Sequence, residues 1–147
     1  MYIIITKKEN FADYAQRFGC EVFRNEEVTL VESGMDELDI DMFLTSFLGR
    51  LAIDPDILGY DYLKYVLRRC IEEEEYYKKA MTRVIYPECA KHFGTTSYRV
   101  ERAMRHAIEG SFEEVPEQYT KIYNRELKES PAPSKFIAVM ANYITYI

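Results

Sequence analysis

"IYPECAKHFGTTSYRVERAMRHAIEG", Ile85 to Gly110, divides at Gly94 into a short helical pattern and a longer one. In the first half Pro87 suits a first helical position, since proline there forfeits only an amide that has no partner anyway. Tyr86, Cys89, Ala90 and Phe93 form an inward stripe, and Gly94 ends it. The hydroxyls of Thr95, Thr96 and Ser97 can cap the free amides of a second helix. On that helix Val100, Ala103, Met104 and Ala107 gather on one side. Tyr98, Arg102, Arg105, His106 and Glu109 gather opposite, with Arg99 and Glu101 on the flanks.

A short helix, a glycine-containing turn of about three or four residues and a second longer helix make the layout of a helix-turn-helix, whose second helix lies in the DNA major groove. It is predicted here over residues 87–110, the small alanines letting its two helices approach closely. Arginines confined to the outer face suit DNA, because guanidinium can grip guanine O6 and N7 in a bidentate manner and can neutralise phosphate. Lysine would do this less specifically. Glu101 is the odd member. Phosphate repels its carboxylate unless it accepts a hydrogen bond from a cytosine amino group; the alternative is an intrahelical bond to Arg105, four residues on. A charged outer face is also commonly just a solvated one, so at this level both readings stand.

Working outward, the chain of 147 residues is long enough for one domain with a small appendage, and its 48% hydrophobic share describes a globular protein with a real core. The formal net charge of −6 argues against indiscriminate binding to nucleic acid or anionic membrane by the chain as a whole. The charge is uneven, however. From Lys91 to His106 the ionised side chains are Lys91, Arg99, Arg102 and Arg105 against Glu101 alone. The acids lie elsewhere, in "DELDID" at 36–41, "EEEE" at 72–75, Glu113 and Glu114.

The apolar run "YIIIT" is far shorter than a membrane span and lacks the flanks of a secretory signal, so a cytoplasmic protein with no membrane partner is expected. Cys20, Cys70 and Cys89 show no C-x-x-C spacing and read as reduced core thiols; neither a cofactor nor a metal site is expected.

The expected fold is mainly α: a multi-helix domain over residues 36–147, preceded by a small α/β appendage over residues 1–35. In the appendage Tyr2 to Thr6 is β-type, Phe11, Ala15 and Phe18 space as in a helix, and "CEVF" and "VTLV" are β-type again. In the main domain "DIDMFLTSFLGRLAI" offers Met42, Phe43, Phe47, Leu48 and Leu51, and the next helix places Leu58, Tyr62, Val66 and Cys70 on one side. Glu72 to Glu75, followed by Lys78 and Lys79, reads as charge pairing on a solvated face. A later helix carries Tyr119, Ile122, Tyr123 and Leu127 until "SPAP" breaks it. Ser134 can then cap a last helix bearing Phe136, Ile137, Met140, Tyr143 and Ile144.

The stretch "VIYPECAKHFGTTSYRVERAMRHAIE" resembles the helix-turn-helix of the C-terminal effector domain of the stage-zero sporulation response regulator A family, a transcription factor of endospore-forming bacteria. "GYDYL" at 59–63 and "SKFIAVMANYI" at 134–144 resemble two further landmarks of that domain, in the same order. The resemblance implies an all-helical DNA-binding domain that reads short promoter boxes, commonly as two copies in tandem. It carries Glu101 and Arg102 onto the base-reading pair, Arg105 and His106 onto positions supporting base or backbone contact, and Thr95, Thr96 and Arg99 onto positions near phosphates. Tyr98 stands where the family usually keeps a small residue.

Two departures matter. The family's full-length members carry a receiver domain with a phosphoacceptor aspartate, whereas only about forty residues precede the resemblance, fewer than a domain of usual size needs, and Lys7 and Lys8 follow the first strand. A phosphorylation switch in cis is therefore not expected, and Asp13, Asp36, Asp39 and Asp41 are not read as phosphorylation sites. The segment from Gly110 to Pro133 is unlike the family; in relatives that region is linked to the sigma subunit of RNA polymerase, so this partner is expected less firmly than promoter DNA.

Two rival classes compete. An enzyme has little support: both histidines, His92 and His106, fall in the helix-turn-helix, and no Gly-rich phosphate loop or nucleophile–base–acid order is present. The other rival is an interaction module that keeps the effector fold without DNA affinity and pairs with a full-length sporulation regulator. Net charge and the appendage favour it; the retained Arg99, Arg102, Arg105 and His106 speak against it. The first 33 residues could either mediate a homodimer, which helix-turn-helix proteins commonly need to read two half-sites, or cap the helical core.

Overall fold

The isoleucine-rich start and the two short apolar stretches after it form strands, as branched side chains favour on a pleated surface. These are β1 (Tyr2–Thr6), β2 (Glu21–Arg24) and β3 (Thr29–Ser33). A computed structural model describes residues 2–6, 21–24, 29–33, 37–73 and 75–146. β3 is central, with β1 and β2 antiparallel on either side; Ile4 and Val22 both stand opposite Val31. The helical pattern at Phe11, Ala15 and Phe18, and Cys20 after it, lie outside the described residues.

The chain divides into two compact units, one of residues 1–43 with 146–147 and one of Leu44–Thr145. The helices are α1 (Glu37–Arg50), α2 (Leu58–Glu72), α3 (Tyr86–Phe93), α4 (Ser97–Glu114), α5 (Pro116–Tyr123) and α6 (Pro133–Tyr146). The second unit buries Leu44, Phe47, Leu48 and Leu51 of the first helix and its end, and Tyr62, Leu63, Val66, Leu67 and Cys70 of α2. It also buries Val100, Met104 and Ile108 of α4, Tyr119 of α5, and Phe136, Ile137 and Met140 of α6. Three residues expected inward are not: Met42 is 63% exposed, Leu58 64% and Phe93, the last residue of α3, 39%. Met42 falls on the side of its helix opposite the Leu44, Phe47, Leu48 and Leu51 stripe, and Leu58 is the first residue of α2, where the helix has barely begun.

α4 packs on α2 and α3, and its contact with α2 turns on one glycine. A Cβ added to Gly59 would stand 2.7 Å from Cβ of Ala107 and closer still to the carbonyl oxygen of Ala103. The small side chains of α4, expected to admit its helix-turn-helix partner, thus serve the crossing with α2. One buried polar residue ties three elements together. The Ser111 hydroxyl donates to the carbonyl of Leu51 and shares a 2.7 Å hydrogen bond with the Tyr119 hydroxyl. That satisfies the phenol in the core, where an unpaired hydroxyl is costly.

Cys70 and Cys89 are free and buried, and burial pushes both thiols up to about 12. Such thiols stay protonated at neutral pH and are packing groups rather than nucleophiles.

Several helix ends differ from the sequence expectation. α4 runs through Gly110 to Glu114, because core contacts from Ile108 and Ser111 outweigh the modest cost of a mid-helix glycine. α5 stops before Leu127, at Asn124 in the left-handed region (φ 54°). α6 opens at Pro133, with the carbonyl of Ala132 accepting from the amide of Phe136 at 2.9 Å, so Ser134 lies inside the helix rather than capping it.

Candidate nucleic-acid interface

Gly94 sets the angle between α3 and α4. Its φ of +66° is the left-handed region, open to glycine without a side-chain clash. The amide of Thr95 donates to the carbonyl of Ala90 at 2.9 Å and that of Gly94 to Lys91 at 3.4 Å, the reciprocal bonding that closes a helix end. Three residues, Gly94 to Thr96, then separate the helices. Of the hydroxyls available, Thr96 takes the cap: its Oγ1 accepts from the amide of Arg99 at 3.3 Å. Thr95 is half-buried and Thr96 exposed beside it.

The start of α3 differs from expectation. Pro87 stands near its beginning, yet the chain is already helical from Met81 to Ile85, in a wide turn where the amide of Ile85 reaches back to the carbonyl of Ala80 at 3.2 Å and that of Tyr86 to Met81. A widened turn accommodates a proline ring that would otherwise press on the carbonyl four residues earlier.

Three further contacts seat α3. The buried Tyr76 hydroxyl donates to the carboxylate of Glu88, and burial together with that carboxylate pushes the phenol up. His92 stacks on Tyr65 with centroids 4.5 Å apart, and Phe93 meets Tyr62 edge-on at 5.0 Å. His92 thus lies against Tyr65 while remaining exposed. None of the three is legible in the sequence, because each joins residues from different elements that no helical spacing connects; the nearest signal is the aromatic content of "GYDYLKY".

On α4 the two faces separate as the periodicity requires. Val100, Met104 and Ala107 are buried, while Arg99, Arg102, Arg105 and His106 are exposed. Arg105 donates to the carboxylate of Glu101, one turn earlier, with side chains 48% and 28% exposed. The buried phenol of Tyr86 is pushed up to about 12, by burial first and then by Glu101, with Arg105 opposing. Arg99, Arg102 and His106 make no ion pair among the described residues. Tyr98, given no contact on sequence grounds, stands among them with 70% of its surface exposed.

All seven residues singled out from sequence thus fall on the turn and the outer side of α4: Thr95 and Thr96 at its start, Arg99 in the first turn, then Glu101, Arg102, Arg105 and His106. No metal-binding group of His, Cys, Asp and Glu occurs among the described residues, and no described helix is long and apolar enough to cross a membrane.

A glycine-closed helix, a three-residue turn and a second helix with exposed guanidinium groups define a DNA-binding helix-turn-helix domain. The chain matches the family described as "Sporulation initiation factor Spo0A C terminal" over residues 44–144, more than half its length, and belongs to that family. It carries the DNA-binding effector domain of a sporulation regulator, and the family is not one of enzymes.

Proposed function

We propose that the chain binds promoter DNA sequence-specifically and regulates transcription, with α4 lying in the major groove. Glu101 and Arg102 face base edges, Arg105 and His106 support them, and Thr95, Thr96 and Arg99 lie along phosphates. The observation that carries this is the state of the cations on α4: Arg99, Arg102 and His106 are exposed and without ion pairs among the described residues, on the face that a helix-turn-helix presents to DNA.

The Arg105–Glu101 pair is compatible with that role. A carboxylate has two oxygens and about four acceptor positions, so Glu101 can keep Arg105 on one oxygen and accept from a cytosine amino group with the other. The neighbouring guanidinium also offsets the repulsion between Glu101 and phosphate. An exposed pair of this kind contributes about 0–1 kcal/mol, little enough to be exchanged for a groove contact.

The test is a titration with duplex selected by the protein from a randomised pool, set against a shuffled duplex, at two salt concentrations. Selective binding that weakens with salt is expected, with Arg102→Ala losing about 1–3 kcal/mol and relaxing preference at one base pair. Neutralising Arg99 should weaken all duplexes alike and lower the salt slope. Equal, feeble binding to both duplexes would leave the interaction-module reading in place of this one.

A further inference from the structure

Tyr98 is the second residue of α4, one helical turn before both Glu101 and Arg102, and it lies between Arg102 and Arg105 on the outer face. At 70% it is also more exposed than Met42, Leu58 and Phe93, the other large apolar residues left open to solvent among the described ones. Among the described residues its ring meets no other aromatic ring, unlike those of Tyr62, Tyr65, Tyr119 and Tyr123. Side chains in the first turn of a recognition helix reach deepest toward base edges, and a helical side chain leans toward its own N-terminus. Arginine and glutamate on either side select by hydrogen bonding. A ring in their midst presents apolar surface, and the apolar feature of the major groove is the C5-methyl group of thymine.

We propose that Tyr98 is a specificity-determining residue that reads a thymine by packing its ring against the C5-methyl. The inference rests on the DNA-binding reading above and adds to it the base that the first turn of α4 selects. The contact involves the ring and not the hydroxyl, which sets it apart from a phosphate contact made by the phenol. Tyr98 is 70% exposed and is not among the buried core residues, so its replacement is expected to leave the fold intact.

The experiment uses the duplex that the intact chain enriches from a randomised pool, resynthesised with each thymine in turn replaced by uracil, which removes only the methyl. Wild type, Tyr98→Ala and Tyr98→Phe are titrated against the set, with circular dichroism to confirm equal helix content. One replacement should weaken wild type and Tyr98→Phe about three- to five-fold, the worth of a buried methyl-sized group, and leave Tyr98→Ala unaffected. Uracil effects that are the same in wild type and Tyr98→Ala at every position would overturn the proposal while leaving the DNA-binding reading intact. So would a Tyr98→Phe that behaves like Tyr98→Ala, since that assigns the contact to the hydroxyl. If the pool yields no enriched sequence, both the interface and this refinement of it fall together.

Discussion

At the end of α2, Arg68 reaches Glu72 at 2.8 Å, Arg69 reaches Glu73 at 3.0 Å, and Lys79 meets the other oxygen of Glu73 at 2.8 Å. Arg69 and Lys79 also lie over the ring of Tyr76, at 5.0 and 5.3 Å from its centroid. On the outer face of α4, a comparable set of cations has a single carboxylate partner among the described residues, Glu101, which pairs with Arg105. Both regions are arginine-bearing helix surfaces, and counting charges does not separate them. Pairing does: the α2 end spends its cations inside the chain, whereas α4 holds Arg99, Arg102 and His106 out toward solvent. Availability for phosphate and base edges depends on that difference rather than on net charge, which is −6 for the whole chain.

The comparison presumes that α4 is held rigidly against α2, and the largest expected effect comes from breaking that contact. Gly59→Ala would press a methyl group into Ala103 and Ala107, where the obstruction includes backbone and cannot rotate away. A loss of about 3 kcal/mol in unfolding free energy is expected, measurable by urea denaturation. Next in size, Arg102→Ala should lower affinity for the selected duplex by about 1–3 kcal/mol with unfolding unchanged, which is the signature of an available cation. Arg68→Ala should do the reverse on a smaller scale: about 0.5 kcal/mol or less of stability lost and duplex affinity unmoved.

The smallest effect sharpens the paired side of the comparison. Lys79, with Arg69 adding to it, holds the exposed carboxyl of Glu73 below the usual carboxylate range. A carboxyl depressed in the folded state contributes stability that is present above its unfolded value and lost as pH falls through the folded one. Urea titrations at about pH 7 and about pH 3.5 should therefore show a slightly larger acid loss for wild type than for Glu73→Gln.

How much of this was legible in the sequence follows from the range of the interactions involved. The helix-turn-helix was, because its determinants are local: Gly94 must take a positive φ, Thr96 caps three residues ahead, and Val100, Met104 and Ala107 recur at helical spacing. The Glu101–Arg105 pair was one of two alternatives for the same reason, being four residues apart. The end of α2 was legible only as a solvated charged run. Its partners proved to be Arg68 and Arg69 from within the helix as well as the lysines after it, because the helix stops at Glu72 and a tight turn at Tyr76–Lys78 brings Lys79 back to Glu73. Tyr76 with Glu88, Gly59 with Ala103 and Ala107, and Ser111 with Leu51 and Tyr119 join residues far apart in the chain; no periodicity encodes them. Tyr98 is visible as an outer-face residue, but nothing local gives the degree of its exposure, which depends on how the other elements pack around α4.

The most direct test of the division between spent and available cations is a side-chain NMR titration of the arginine Nε–Hε groups with the selected duplex. Substoichiometric DNA should shift or broaden Arg99, Arg102 and Arg105 and leave Arg68 and Arg69 where they are. Perturbation centred on Arg68 and Arg69, with the α4 signals unmoved at saturation, would contradict the assignment of α4 as the DNA-binding surface.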